Sequence, residues 1–163
     1  MLSADFSPTA PPFIAQGRRP TGRRWQGIKY ERRVQEWLGQ ELGPEYLASP
    51  WIRFRLKGEG RLQWCQPDGL HIDAQRGQIT IVEVKYQHCA DAWYQMNLLY
   101  APVLATLFPA PNWRLATCEV VKWFDCAVST PVQPKLRDDP RKARPGEFAV
   151  FILKEQLRGQ AGE

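Results

Sequence analysis

The sequence predicts an α/β protein built on a mixed central β-sheet flanked by helices, and three observations predict it. Residues 66–85 alternate apolar and polar positions about a turn and read as a β-hairpin. Helical periodicity brackets the hairpin, over about 24–42 before it and 92–108 after it. Apolar, β-branched runs at 113–124 and 148–153 supply further strands. A hairpin gives antiparallel pairing, whereas a return through a helix permits a parallel, right-handed connection. The sheet is therefore expected to be mixed.

The chain has 163 residues, enough for one domain with a core of its own. Hydrophobic residues make up 44% and charged residues 24%, which argues against a disordered chain. No apolar run approaches the roughly 18 residues of a membrane span. The segment Met1–Phe6 has neither the basic nor the apolar region of a secretory signal. An intracellular protein with no membrane partner is expected.

Taken in order, residues 1–22 carry Pro8, Pro11, Pro12 and Pro20 with few core formers, and read as a proline- and arginine-rich arm. Residues 23–154 form the domain, and 155–163 a polar tail. In the first helix Gly27, Glu31, Val34 and Leu38 share a stripe, with Ile28, Gln35 and Leu42 beside it, and Gly43-Pro44 ends it. Glu31 is out of character, because it lies on or beside the face that packs inward. Glu36, about 140° further round, belongs to another face. Trp51–Leu56 alternates as a strand with arginines on one side, and Gly58-Glu59-Gly60 makes a turn. Leu62–Cys65 leads to the break Pro67-Asp68-Gly69, after which the hairpin turns at 74–77. Asp91 is placed to cap the second helix, whose apolar face holds Trp93, Met96, Tyr100, Val103, Leu104 and Leu107. Pro102 is expected to kink this helix, and Pro109-Ala110-Pro111 to stop it. Residues 130–146 hold four prolines and read as a loop.

The four cysteines, Cys65, Cys89, Cys118 and Cys126, lack C-x-x-C spacing, and neither His71 nor His88 completes a zinc pattern. Buried free thiols are expected. The net charge is +5, and its distribution says more than its size. Arg18, Arg19, Arg23, Arg24, Lys29, Arg32 and Arg33 crowd one segment, and Lys135, Arg137, Arg141, Lys142 and Arg144 another. Such clusters suit a phosphate backbone, the plainer alternative being a solvated basic surface. Arg53 and Arg55 are further candidates for phosphate contact.

The hairpin concentrates the chemistry. Residues two apart in a strand share a face at roughly 7 Å, so Glu83 and Lys85 lie together while Val82 and Val84 take the other side. Unpaired charge at a sheet is costly, and a bound divalent cation would balance it. Singly, Asp68 reads as a turn residue and Glu83 with Lys85 as an exposed pair; the case rests on their conjunction.

Pro67-Asp68, fourteen intervening positions and Glu83-Val84-Lys85 resemble the PD-(D/E)XK nuclease superfamily. The helix Gly27-Ile28-Lys29-Tyr30-Glu31-Arg32 is similar to the Gly-x-x-x-Glu helix of its resolvase-like and exonuclease-like branches. The resemblance covers roughly residues 25–125. It implies a restriction-endonuclease-like core of order αβββαβ and Mg²⁺-dependent hydrolysis of DNA, with Mn²⁺ as a substitute. It implies Asp68, Glu83, the Val84 carbonyl and Glu31 as metal ligands, Lys85 as the group that orients or deprotonates water, and Gln95 as a further site residue. Exonuclease-type relatives add a tyrosine four residues after the glutamine; here that position is Leu99, and the tyrosine is Tyr100. Physical chemistry agrees with these roles. Mg²⁺ takes one or two carboxylates and keeps several waters, and a lysine beside a phosphoryl group can transfer a proton or stabilise developing charge. A lysine acting as base needs a lowered pKa, towards which a neighbouring cation pushes.

No base-reading motif is visible, so structure-directed or weakly specific cutting is expected. Beside this stand an RNA substrate, a homodimer pairing two sites across a duplex, and membership of a larger viral or recombination assembly, virion-associated in the first case. A non-catalytic nucleic-acid-binding or assembly module that keeps the fold is the rival reading from another class.

Overall fold

A computed structural model of the chain describes residues 3–14, 20–86 and 90–122, and the backbone of two further strands, Lys135–Leu136 and Phe148–Leu153. The elements are β1 (Ser3–Ser7), α1 (Gly22–Leu42), β2 (Tyr46–Ala48), β3 (Trp51–Arg55), β4 (Gln63–Cys65), β5 (Gly69–Asp73) and β6 (Gln78–Lys85). There follow α2 (Ala90–Tyr94), a π-helical stretch (Gln95–Tyr100), α3 (Ala101–Leu107), β7 (Arg114–Lys122), β8 (Lys135–Leu136) and β9 (Phe148–Leu153). Among the described residues the strands form two sheets, a six-stranded one of order β2-β5-β6-β7-β9-β8 and a three-stranded one of order β1-β3-β4. Pairing is antiparallel in β2-β5-β6 and parallel between β6 and β7, so the central sheet is mixed.

The long strand β6 shows why the sheet has helices on both sides. Its alternate residues Ile79 and Ile81 enter one core with Leu70, Met96, Tyr100 and Leu104. Val82 and Val84 enter another with Tyr30, Val34, Leu38, Tyr46, Cys118 and Val120. The first core lies under the second helical segment and the second under α1. Burying each of these large aliphatic side chains favours folding by about 1.5–3 kcal/mol. The hairpin turn is fixed by Asp73, whose carboxylate accepts the Arg76 backbone N–H at 2.9 Å and pairs with its guanidinium at 2.9 Å. Gly77 closes it with a φ of 59°.

Several elements differ from expectation. The segment read as an arm contributes strand β1, paired antiparallel with β3. Ala4 packs on the core there, and Asp5 binds Arg53 through both carboxylate oxygens at 2.6 Å. The first strand of the central sheet is the short β2, which shows no pattern in the sequence, whereas β3, legible as a strand, belongs to the small sheet. The second helix begins at Ala90, so Asp91 lies in its first turn rather than at its cap, still favourably placed against the helix dipole. Pro102 falls at the start of α3 after the π-helical stretch, where its missing N–H breaks less of the hydrogen-bond ladder. In α1 the buried stripe is Tyr30, Val34 and Leu38, with Glu31 at its margin. Of residues 130–146, Lys135–Leu136 pairs parallel with β9, and the remainder lies outside the described residues. No helix among the described residues is long and apolar enough to cross a membrane.

Candidate functional site

The site forms where β5 begins and β6 ends. Strand pairing stops at Gly69 with Val82, so Asp68 leaves the sheet beside the last residues of β6. Its Oδ2 accepts the Val84 backbone N–H at 2.7 Å. Val84, whose carbonyl the resemblance implies as a ligand, also contributes its amide, which holds Asp68 in place. The Asp68 backbone is held from two sides. Its carbonyl accepts the Ser49 N–H at 2.9 Å and the Gln35 side-chain amide at 3.1 Å. Gln35 also donates to Ser49 Oγ at 2.7 Å and to Glu31 Oε1 at 3.2 Å, tying α1 to the loop. Ser49 adopts a φ of 46°, an uncommon conformation for a residue with a side chain, and these bonds hold it there. Gly69 lies against the Tyr46 ring, and a Cβ there would collide with it.

Glu83 and Lys85 project from β6 on the side of the second helical segment. Glu83 is 2% exposed. Lys85 Nζ donates to Glu83 Oε1 at 2.7 Å and to Gln95 Oε1 at 2.7 Å. Glu83 Oε2 is buried without a hydrogen-bond partner among the described residues. Burial, then the charge of Asp68, raises the Glu83 carboxyl to about 7 against the opposing pull of Lys85. Burial also raises Asp68, although the Val84 N–H and Lys85 act the other way. Burial and Asp68 raise Glu31, opposed by the Gln35 hydrogen bond. Three carboxyl groups therefore feel one another around one ammonium.

The sequence-expected residues Glu31, Asp68, Glu83, Lys85 and Gln95 are thus brought together. Arg23, Arg24, Lys29, Arg32 and Arg33 are all exposed along α1, with Lys29 over the Trp25 ring at 5.2 Å. Arg18 and Arg19 lie outside the described residues. Cys65 and Cys118 are buried free thiols, and burial pushes both up to about 12; Cys89 and Cys126 lie outside the described residues.

Three contributors escaped the sequence reading. Gln35 was assigned only to the edge of the α1 stripe, although its spacing of four from Glu31 was a usable signal. Glu119 is 2% exposed on β7 and stands directly beside Glu83 in register; a carboxylate in an apolar strand was the clue. Tyr100 donates its hydroxyl to the Gln66 carbonyl at 3.1 Å, two residues before Asp68. Burial, then the charges of Glu83 and Asp68, raise its phenol. In the π-helical stretch the Ala101 N–H bonds Met96 O, five residues back, so the turn is one residue wider than in an α-helix. Residues five apart then stand as residues four apart normally do, and Tyr100 takes the position relative to Gln95 that a regular helix would give to Leu99.

The donor set suits a divalent cation of the Mg²⁺ type. Among the described residues no three Asp, Glu, His or Cys side chains make a ready-formed metal cluster. Mg²⁺ is ordinarily held by one or two carboxylates with waters, however. Asp68 and Glu83 supply such a pair, and the unpartnered Glu83 Oε2 is the atom a cation would satisfy. The chain matches no protein-family model, no curated protein and no solved structure.

Proposed function

We propose that this chain is a divalent-metal-dependent nuclease of the PD-(D/E)XK type, hydrolysing DNA phosphodiester bonds with structure-directed or weak sequence specificity. The observation that carries the reading is Glu83. It is a nearly inaccessible carboxylate with one oxygen on Lys85 and the other unpartnered, beside two further carboxyl groups. Such an arrangement is unfavourable as structure alone, since a buried ion pair repays its desolvation only when its remaining hydrogen-bonding capacity is met. The element order supports the same reading. Helix α1, antiparallel β2, β5 and β6, a helical segment and parallel β7 follow one another as αβββαβ, with β3 and β4 inserted after the first of these strands.

A bound Mg²⁺ would neutralise charge on the phosphoryl group and polarise water. The chain's own residues do the rest. Asp68 and Glu83 offer carboxylate oxygens from neighbouring strands. Lys85, held by Gln95, keeps its ammonium where negative charge develops and can hand a proton to a phosphate oxygen. The exposed cations of α1 lie along the phosphate backbone and add affinity without reading bases.

The test is cleavage of plasmid, linear and branched DNA with Mg²⁺ or Mn²⁺, comparing wild type with Asp68→Ala and Lys85→Ala. Wild type cuts, and each variant loses about a hundredfold or more. Wild type that binds DNA and cuts none of these substrates overturns the reading in favour of a binding module. An Asp68→Ala variant that cuts like wild type removes Asp68 from the site.

A further inference from the structure

We propose that the cavity beside edge strand β4, walled by Trp64 and Phe13 and flanked by Arg61, binds an unpaired nucleotide strand and feeds it towards Asp68. The binding claim stands by itself; the feeding claim rests on the nuclease reading.

The small sheet grows out of the site. Strands β3 and β4 lie in the chain between Ala48 and Gly69, and the stem is pinned at the site by the Ser49 N–H on the Asp68 carbonyl at 2.9 Å. Gln66 adds a bond to the Ser49 carbonyl at 2.8 Å. Trp64 precedes Asp68 by four residues, so the two are at most about 14 Å apart along the chain. That upper limit corresponds to at most about four stacked nucleotides at about 3.4 Å each.

The cavity has a volume of about 390 Å³ and is lined by Phe13, Glu59, Arg61, Leu62, Gln63 and Trp64. That size falls within the range of small-ligand pockets. Its walls supply three kinds of contact. Trp64 and Phe13 are aromatic surfaces. Trp64 is braced edge-to-face by Trp51 at 6.5 Å, and Phe13 is 70% exposed on a turn closed by the Ile14 N–H on the Pro11 carbonyl at 3.2 Å. Arg61 is exposed and makes no ion pair among the described residues. Gln63 donates to Glu59 at 2.8 Å, so an amide and a carboxylate sit side by side at the wall, able to meet the polar edge of a base. A second cavity of about 400 Å³ shares Leu62 and carries Arg53 and Arg55. Asp5 neutralises Arg53, while Arg55 makes no ion pair among the described residues. Cations therefore continue along the sheet end.

Flat aromatic walls, the exposed cations Arg61 and Arg55 and a short polar edge match an unpaired nucleotide. Every base has a face to stack, and its phosphate meets the arginine. A duplex hides those faces in its own stack, and an acidic peptide would use the cations but leave the aromatic walls uncovered.

The test is fluorescence anisotropy with the full chain in EDTA, using labelled oligothymidylate, oligouridylate and a duplex of equal length. Wild type binds the single strands more tightly than the duplex, and tryptophan fluorescence falls on binding. The two single strands bind similarly, because stacking is indifferent to the sugar. Phe13→Ala and Arg61→Gln, both at exposed positions, each weaken single-strand binding about tenfold, and Arg61→Gln lowers the slope of log affinity against log salt by about 0.7. Duplex preference, or variants that bind like wild type with unchanged thermal melting, overturns the proposal. Because EDTA removes any cation, this result is independent of the carboxylate site. Normal strand binding without cleavage in Mg²⁺ or Mn²⁺ would sink the nuclease reading and leave the nucleotide site standing. Normal cleavage with unaffected binding in both variants would do the reverse.

Discussion

Glu83→Gln should stabilise the metal-free protein at pH 8 and leave it nearly unchanged at pH 4. The Glu83 carboxyl titrates at about 7 in the fold, against 4.5 for an ordinary glutamate, first because it is buried and then because Asp68 is near. A carboxyl with a higher folded pKa binds its proton more tightly in the folded chain. The resulting stability is present in full below 4.5 and is lost as pH rises through about 7. At about 1.4 kcal/mol per pH unit the full effect is about 3 kcal/mol. Asp68 and Glu31 share the repulsion, so the measured gain should lie between about 1 and 3 kcal/mol. Glutamine keeps the shape and can still accept the Lys85 hydrogen bond, but carries no charge. Denaturant unfolding at pH 4, 6 and 8 in EDTA reads the effect directly. Excess Mn²⁺ adds an independent arm. It should stabilise wild type, by about 2.7 kcal/mol at a hundredfold excess over the dissociation constant, and do little for the variant. If glutamine instead destabilises the protein at pH 8 by the roughly 3–5 kcal/mol lost when a buried charge loses its partner, the Lys85 pair outweighs burial and repulsion, and Glu83 is not a strained carboxylate. Equal stabilisation of both proteins by Mn²⁺ would place the cation elsewhere.

Three other outcomes can be measured. Gly69→Ala should destabilise by about 1–3 kcal/mol in urea unfolding, because the added methyl meets the Tyr46 ring. Ile81→Ala should lose about 2–5 kcal/mol by the same measurement, since Ile81 is fully buried in the sheet's helix-facing core. Gln35→Leu should lose about 1–2 kcal/mol and reduce cleavage more than DNA binding, because the Asp68 carbonyl and Glu31 both lose a donor.

The parts of this molecule that were legible in the sequence are those whose signal is local. The hairpin, the α1 stripe and the alternation of Glu83 with Val84 follow from periods of 2 and 3.6 within short windows. The grouping of Asp68 with Glu83 and Lys85 was accessible from the hairpin, whereas Glu31 and Gln95 joined it through the resemblance to a nuclease superfamily. What escaped depends on distant partners or single-residue irregularities. Strand β1 pairs with β3, some 48 positions away, and its Ala4 and Phe6 pack on distant residues. Strand β2 has only three residues, too few to show a pattern. The separation of β3 from the central sheet is a tertiary choice, and its alternation would look the same in either sheet. The wide turn at Gln95–Tyr100 leaves no mark in an apolar pattern, and Glu119, though out of character in an apolar strand, is tied to Glu83 only by the register of β6 and β7.

The wide turn also bears on how this chain tolerates changes in length. Adding or removing one residue in a regular helix rotates everything beyond it by about 100°. Here one surplus residue is absorbed within a single turn, so Val103 and Leu104 still reach the core. Deleting Leu99, whose side chain is 38% exposed, should therefore turn the stretch into ordinary α-helix with the downstream phase intact. Deleting Glu36 from α1 has no such slack to draw on and would swing Leu38 out of its core. The helical segment that carries Gln95 thus tolerates the loss of one residue that α1 does not, and thermal melting of the two deletions would show the contrast.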